Sequence, residues 1–166
     1  MSVVAVKKYR DHIQIAADSI DIWGTTQEKD PKAKLFTLSG DCILGCAGSS
    51  ATALLVRHIL LMHPPIENTS FGLLQTVKTM YEKCRQYNLN LEDSSFLLVW
   101  RNRVWRIVGL DIKEVEHFDA IGKGRDFALA ALHLRHTPEE ACNVACELST
   151  QCEGPVVTQR LPHYVG

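Results

Sequence analysis

The chain has 166 residues, a net charge of −1 and 46% hydrophobic residues, enough to bury the core of one domain. Its basic residues form no stripe, which argues against a nucleic-acid partner. Its longest apolar runs, roughly ten residues, are too short to span a bilayer, and the expectation is a cytoplasmic protein without a leader peptide or a membrane partner.

Val3 to Tyr9 (VVAVKKY) reads as a strand, Arg10-Asp11 as a turn, and His12 to Asp18 (HIQIAAD) as the returning strand. Ser2 would then stand at the open end of a hairpin. Ser19 to Ala33 reads as a polar loop containing Gly24. Lys34 to Leu38 reads as a short strand, Ser39-Gly40-Asp41 as a turn, and Cys42 to Ala47 (CILGCA) as a buried strand. Gly48-Ser49-Ser50 breaks the run, and Ser49 or Ser50 suits the N-cap of a helix over Ala51 to Met62 that Pro64-Pro65 ends. A second helix within Asn68 to Asn88 carries the stripe Leu73, Leu74, Val77, Met80 and Tyr81. Ser95 to Trp100 and Val104 to Leu110 read as a hairpin, and Glu114 to Phe118 as a further strand. Gly122-Lys123-Gly124 opens a third helix to about Arg135. Thr137-Pro138-Glu139-Glu140 caps a fourth that runs to about Ser149, and Pro155 to Thr158 is a last short strand.

Strands, two helices, strands and two helices make an α+β pattern with mostly antiparallel pairing. Two facing sheets with a helix pair outside each would bury every stripe. Cys42, Cys46, Cys84, Cys142, Cys146 and Cys152 contain no C-x-x-C pair and read as reduced, packed thiols, with no metal site among them. Trp23, Trp100 and Trp105 read as packing residues, and the seven histidines as incidental.

One constellation carries chemistry. A hydroxyl nucleophile needs a neighbouring base, and an N-terminal Ser can use its own α-amine. A nearby lysine lowers the amine's pKa by like-charge repulsion, and a carboxylate orients the lysine. Asp18, 16 residues after Ser2 at the end of the returning strand, and Lys34, 32 residues after it, supply these groups. Read singly, Asp18 also suits a turn cap, Lys34 a solvated strand edge, and Gly48 a tight strand-to-helix turn.

The sequence resembles proteasome-type β subunits, in the bacterial range that includes HslV and the betaproteobacterial proteasome homologue. The likeness runs ungapped from Ser2 through Ile15-Ala16-Ala17-Asp18, Gly24, Lys34 and Cys46-Ala47-Gly48, and returns at Ile121-Gly122-Lys123-Gly124. It implies a single domain over residues 1–166 with the four-layer αββα sandwich of the N-terminal-nucleophile hydrolases. It implies a threonine-type endopeptidase, here with serine, that hydrolyses peptides or unfolded proteins without metal or cofactor. Ser2 would be the nucleophile once Met1 is removed, a step that its small side chain suits. Asp18 and Lys34 would tune the amine, and the Gly48 N–H would stabilise the oxyanion. The backbone near Ile22 and from Cys46 to Ser50 would hold an extended substrate. The resemblance further implies a double ring of six or seven subunits per ring, with the helices around Leu54 to Met62 and Leu73 to Tyr81 contributing contacts between rings. HslV-like proteins use a separate ATPase unfoldase; for other bacterial homologues, and for this chain, that partner stays open.

The departures are specific. Serine lacks the methyl that restricts threonine's rotamer. Lys123 stands where the family commonly has serine beside the nucleophile, and its cation would lower the amine's pKa further or turn outward. Thr150-Gln151-Cys152-Glu153-Gly154 replaces the family's Asp-x-x-Ser-Gly, leaving Glu153 as the carboxylate there. While Met1 is attached, the amine belongs to Met1. The main reading is a self-compartmentalising peptidase, the alternative a catalytically silent ring subunit, and a third, disfavoured, a small-amide hydrolase.

Overall fold

A computed structural model describes residues 1–165. Strands β1 (Val3–Lys8) and β2 (His12–Ala17) form the expected hairpin, closed by the Tyr9 N–H donating to the His12 carbonyl at 2.8 Å. They lie in the middle of a four-stranded sheet, flanked by β10 (Phe118–Gly122) on β1 and β11 (Val157–Pro162) on β2, all neighbours antiparallel. The second sheet orders β5 (Leu35–Ser39), β6 (Cys42–Ala47), β7 (Ser95–Trp100), β8 (Arg103–Val108) and β9 (Asp111–Glu114), again antiparallel.

Side-chain alternation builds the layers. In β1 and β2, Val4, Val6, Ile13 and Ile15 meet Ile43, Leu97, Val99 and Val104 of the other sheet. Val3, Ala5 and Ala16 face the opposite way, onto α3 (Arg125–His133) and α4 (Pro138–Leu148), whose buried Ala128, Ala131, Ala141 and Ala145 allow close approach. In β7 the partition repeats, with Phe96 and Leu98 facing Val56, Leu73, Val77 and Met80 of α1 (Ser50–Met62) and α2 (Ser70–Gln86). The result is the four-layer αββα sandwich.

Two helix starts follow their expected caps: Ser49 accepts from the Thr52 N–H, and Thr137 forms a full capping box with Glu140. Thr69, accepting from the Gly72 N–H, caps α2. No helix among the described residues is long and apolar enough to cross a membrane.

Four expectations need correction. Ser19 to Ala33 is not a loop: β3 (Ile20–Trp23) and β4 (Thr26–Lys29) form a separate hairpin. Gly24, at φ +61°, supplies the positive φ that a two-residue hairpin turn needs at its first central position. The pattern hid this because β4 is exposed at every residue and shows no alternation. Glu114 to Phe118 is a junction, where the chain leaves β9 in one sheet and enters β10 in the other. The last strand starts later and runs further than Pro155 to Thr158, because its pairing with β2 is set by backbone register along an edge of alternating polar residues. Trp23 is 65% exposed at the hairpin tip and packs in no core, whereas Trp105 is buried.

Candidate active site

The hairpin places Ser2 immediately before β1 and Asp18 immediately after β2. The Val3 N–H donates to Asp18 Oδ1 at 2.9 Å and the Asp18 N–H returns to the Val3 carbonyl at 3.2 Å. Lys34 precedes β5, and its carbonyl accepts from the Cys46 N–H at 2.8 Å. Its Nζ donates to Asp18 Oδ1 at 2.7 Å, while Asp18 Oδ2 accepts from the Glu153 N–H at 3.2 Å. Asp18 is 1% exposed and Lys34 6%. Neither plainer reading, turn cap or solvated edge, describes them. Desolvating an ion pair returns little net stability, so a buried pair opening on a cavity marks a functional-site candidate.

Ser2 itself is buried. Its hydroxyl donates to the Met1 carbonyl, and its own carbonyl accepts from the Gly124 N–H at 3.1 Å. Gly122, at φ +92°, lies so close that a Cβ there would collide with the Ser2 carbonyl oxygen. The β10–α3 turn thus wraps the residue that carries the hydroxyl.

Gly48 follows β6 at φ +125°, with the Ser94 Cα 2.7 Å from where its Cβ would be. Only glycine fits that backbone and that space. The Ser49 N–H donates to Ser94 Oγ at 3.1 Å, fixing the start of α1. The turn lies at a helix N-terminus, where the macrodipole favours negative charge.

Two cavities share Ser2 and Gly48. One is small, about 30 Å³, lined by Ile20, Asp21, Lys34, Cys46, Ser49 and Ser50 among others. The other, about 590 Å³, includes Asp93, Arg106, Lys123 and Arg125. Of the residues read from sequence, Ser2, Asp18, Lys34, Gly48, Cys46 and Ser50 come together around the small cavity or the pair behind it. Lys123 lies across the larger one. Ile22 sits in β3 beside the small cavity but does not line it; Ile20 and Asp21 do. Burial, opposed by the Arg57 cation, pushes the Cys46 thiol well above its usual range, so it stays protonated and offers no rival nucleophile.

Sequence reasoning missed three parts. The backbone donors Val3 and Glu153 carry no side-chain signal. Ser94 is a lone buried serine with no motif. The network in which Asp119 joins Arg106 at 3.0 Å and Arg125 at 3.5 Å rests on charges from β8, β10 and α3 that no sequence motif links. Glu153 had a signal that pointed elsewhere: its side chain pairs with Lys29 at 2.7 Å, and only its backbone reaches Asp18.

No family model matches the sequence, and no curated protein matches it. Solved structures do. The BPH of Thiobacillus denitrificans superposes with a TM-score of 0.87 at 19% identity, covering 99% of this chain and 100% of that one. The same protein in complex with epoxomicin gives 0.86 at 18% identity, over 98% and 100%. HslV from Trypanosoma brucei gives 0.79 at 19% identity, over 97% and 99%. Identities this low speak for the backbone alone, and over nearly its whole length the chain has the fold of proteasome-type, HslV-like β subunits.

Proposed function

We propose that the protein is a peptidase whose nucleophile is the Ser2 hydroxyl, freed for use when Met1 is removed. The observation that carries this reading is the buried Asp18–Lys34 pair, hydrogen-bonded to the backbone of the residue after Ser2. The α-amine of Ser2 takes the hydroxyl proton, directly or through a water, as Oγ attacks the scissile carbonyl. The Gly48 N–H stabilises the resulting oxyanion. The C–N bond then breaks, the leaving amine takes the proton, and an acyl ester remains on Ser2 for water to hydrolyse. Lys34 supplies a fixed positive charge beside the amine, and Asp18 holds that lysine in place.

The acyl side of an extended peptide or unfolded protein lies along β3 and the Cys46–Ser50 segment, held by main-chain bonds. Exposed Leu54, Leu61 and Met62 on α1, with Phe71 and Leu74 on α2, supply apolar surface for contacts between stacked rings. Such a chamber keeps an unselective site away from folded proteins. The alternative is a silent subunit, which follows if Met1 stays attached, because Ser2 then has no free amine.

Intact mass together with a peptidyl vinyl sulfone decides between them. Loss of Met1 and one covalent adduct on Ser2, absent in Ser2→Ala, is the expected result. Uniform retention of Met1 with no adduct would overturn the peptidase reading.

A further inference from the structure

The Gly48 N–H is the donor that the proposed chemistry asks of the backbone, and glycine is the residue least able to hold a donor still. Gly48 lines both cavities beside Ser2, and among the described residues no acceptor takes its N–H. Two peptide planes meet at it. The plane before it carries that N–H and follows Ala47, which is paired with Ser95 across β6 and β7. The plane after it carries the Ser49 N–H, which donates to Ser94 Oγ at 3.1 Å. With both planes held, Gly48 keeps its φ of +125°. With the second plane released, a glycine has no side chain to stop it turning.

Ser94 is itself fixed. It is 3% exposed, and its N–H donates to the Leu91 carbonyl at 3.2 Å across the single 3-10 turn Leu91–Asp93. Asn90 caps that turn, its side chain accepting from the Glu92 N–H at 3.1 Å, and Leu91 is buried in the core beneath α1 and α2. Gly48 packs directly on the segment: a Cβ there would collide with the Asp93 carbonyl oxygen and lie 2.7 Å from Ser94 Oγ. Ser94 lines neither cavity, so a substrate in them does not meet its hydroxyl.

We propose that Ser94 is a positioning residue for the oxyanion donor. Its hydroxyl oxygen, by accepting from the Ser49 N–H, holds Gly48 so that the Gly48 N–H meets the oxygen of the tetrahedral intermediate at Ser2. The inference rests on the peptidase reading and assigns a cause to the geometry of its oxyanion site.

Peptide aldehydes separate this role from a merely structural one. Ser2 Oγ bonds to the aldehyde carbon, the C=O π bond opens, the hydroxyl proton passes to the Ser2 amine, and the former carbonyl oxygen becomes the oxyanion. The matching peptide alcohol fills the same groove and forms no such bond. Removing an oxyanion donor costs roughly 10²–10³ in rate, so a donor that is present but mispointed should cost roughly ten- to a hundredfold. In the full chain after Met1 removal, Ser94→Ala should weaken the aldehyde by that factor, leave the alcohol within about twofold, and lower kcat with KM little changed. Ser94→Cys, similar in shape but a weak acceptor, should shift the aldehyde-to-alcohol ratio in the same direction. Equal losses for both ligands would overturn the proposal, since Ser94 would then only shape the groove. Unchanged affinity for both would overturn it too. A crystal structure of Ser94→Ala reads the anchor without any chemistry. Gly48 unmoved, with φ still near +125°, overturns the proposal whatever the protein cleaves. A turned Gly48, in a protein whose wild type forms no aldehyde adduct, leaves Ser94 as the anchor of that turn and removes the peptidase reading instead.

Discussion

Replacing Lys34 by Met tests the central pair through stability, without depending on activity. Lys34 Nζ lies 2.7 Å from Asp18 Oδ1, with side chains 8% and 0% exposed. Removing the ammonium leaves a buried carboxylate holding only the Val3 and Glu153 N–H donors. Breaking one side of a buried pair costs about 3–5 kcal/mol, and two surviving hydrogen bonds place this case near the lower end. For a domain of this size, a loss of about 3 kcal/mol lowers the Tm by roughly 6–12 °C. Urea unfolding at fixed protein concentration reads the change, since assembly would make the apparent stability concentration-dependent. The double variant Asp18→Asn with Lys34→Met should recover much of the loss, because no unpaired charge remains buried. A single-variant cost below about 1 kcal/mol, the range of an exposed pair, would refute the claim that Asp18 is desolvated and dependent on Lys34.

Gly48→Ala should destabilise the protein by about 1–3 kcal/mol through its positive φ, and should abolish vinyl sulfone labelling by displacing the turn that presents the N–H; unchanged labelling would remove Gly48 from the site. Burial, reinforced by the Asp41 carboxylate, pushes the Cys42 thiol up to about 12, and burial with Asp18 does the same to Cys146. The stability these protonated thiols contribute is complete below the unfolded thiol value near 8.5 and is lost as pH rises from there toward about 12, so alkaline unfolding midpoints should rise in Cys42→Ala or Cys146→Ala relative to their stability at pH 7. Iodoacetamide at pH 8 should correspondingly leave Cys46 unmodified in the native protein and alkylate it after unfolding. Glu153→Ala should cost under about 1 kcal/mol, since the Lys29–Glu153 pair is half exposed and the N–H to Asp18 survives; a loss near that of Lys34→Met would mean the side chain, not the backbone, supports the site.

The layers were legible because the core-forming strands are short apolar runs bounded by turn residues, and Ser49 and Thr137 mark two of the helix starts. The unread hairpin over Ile20–Trp23 and Thr26–Lys29 has almost no buried face, so periodicity had nothing to report; only the Gly24-Thr25 turn marked it. Glu114 to Phe118 failed for another reason: a strand pattern does not say when a chain passes from one sheet to its neighbour. Within the site, Asp18 and Lys34 were singled out by a family resemblance at their spacing from Ser2. Their burial was not, because it depends on residues as distant as Glu153.

That distance bears on what the missing Asp-x-x-Ser-Gly stretch means. A carboxylate at Glu153 invites the idea that one acid has replaced another near the nucleophile, yet the side chain turns away to Lys29. What the segment contributes is a peptide N–H on Asp18 Oδ2, while the Glu153 carbonyl accepts from the Ser19 N–H at 3.0 Å. Both groups belong to the backbone and place no demand on the side chain at this position. Substitution there is therefore compatible with an intact Asp18–Lys34 pair, and the lost side chains do not by themselves argue for a silent subunit. The same holds for Lys123. The backbone on either side of it is fastened to Ser2, so a change of side chain there leaves the scaffold in place.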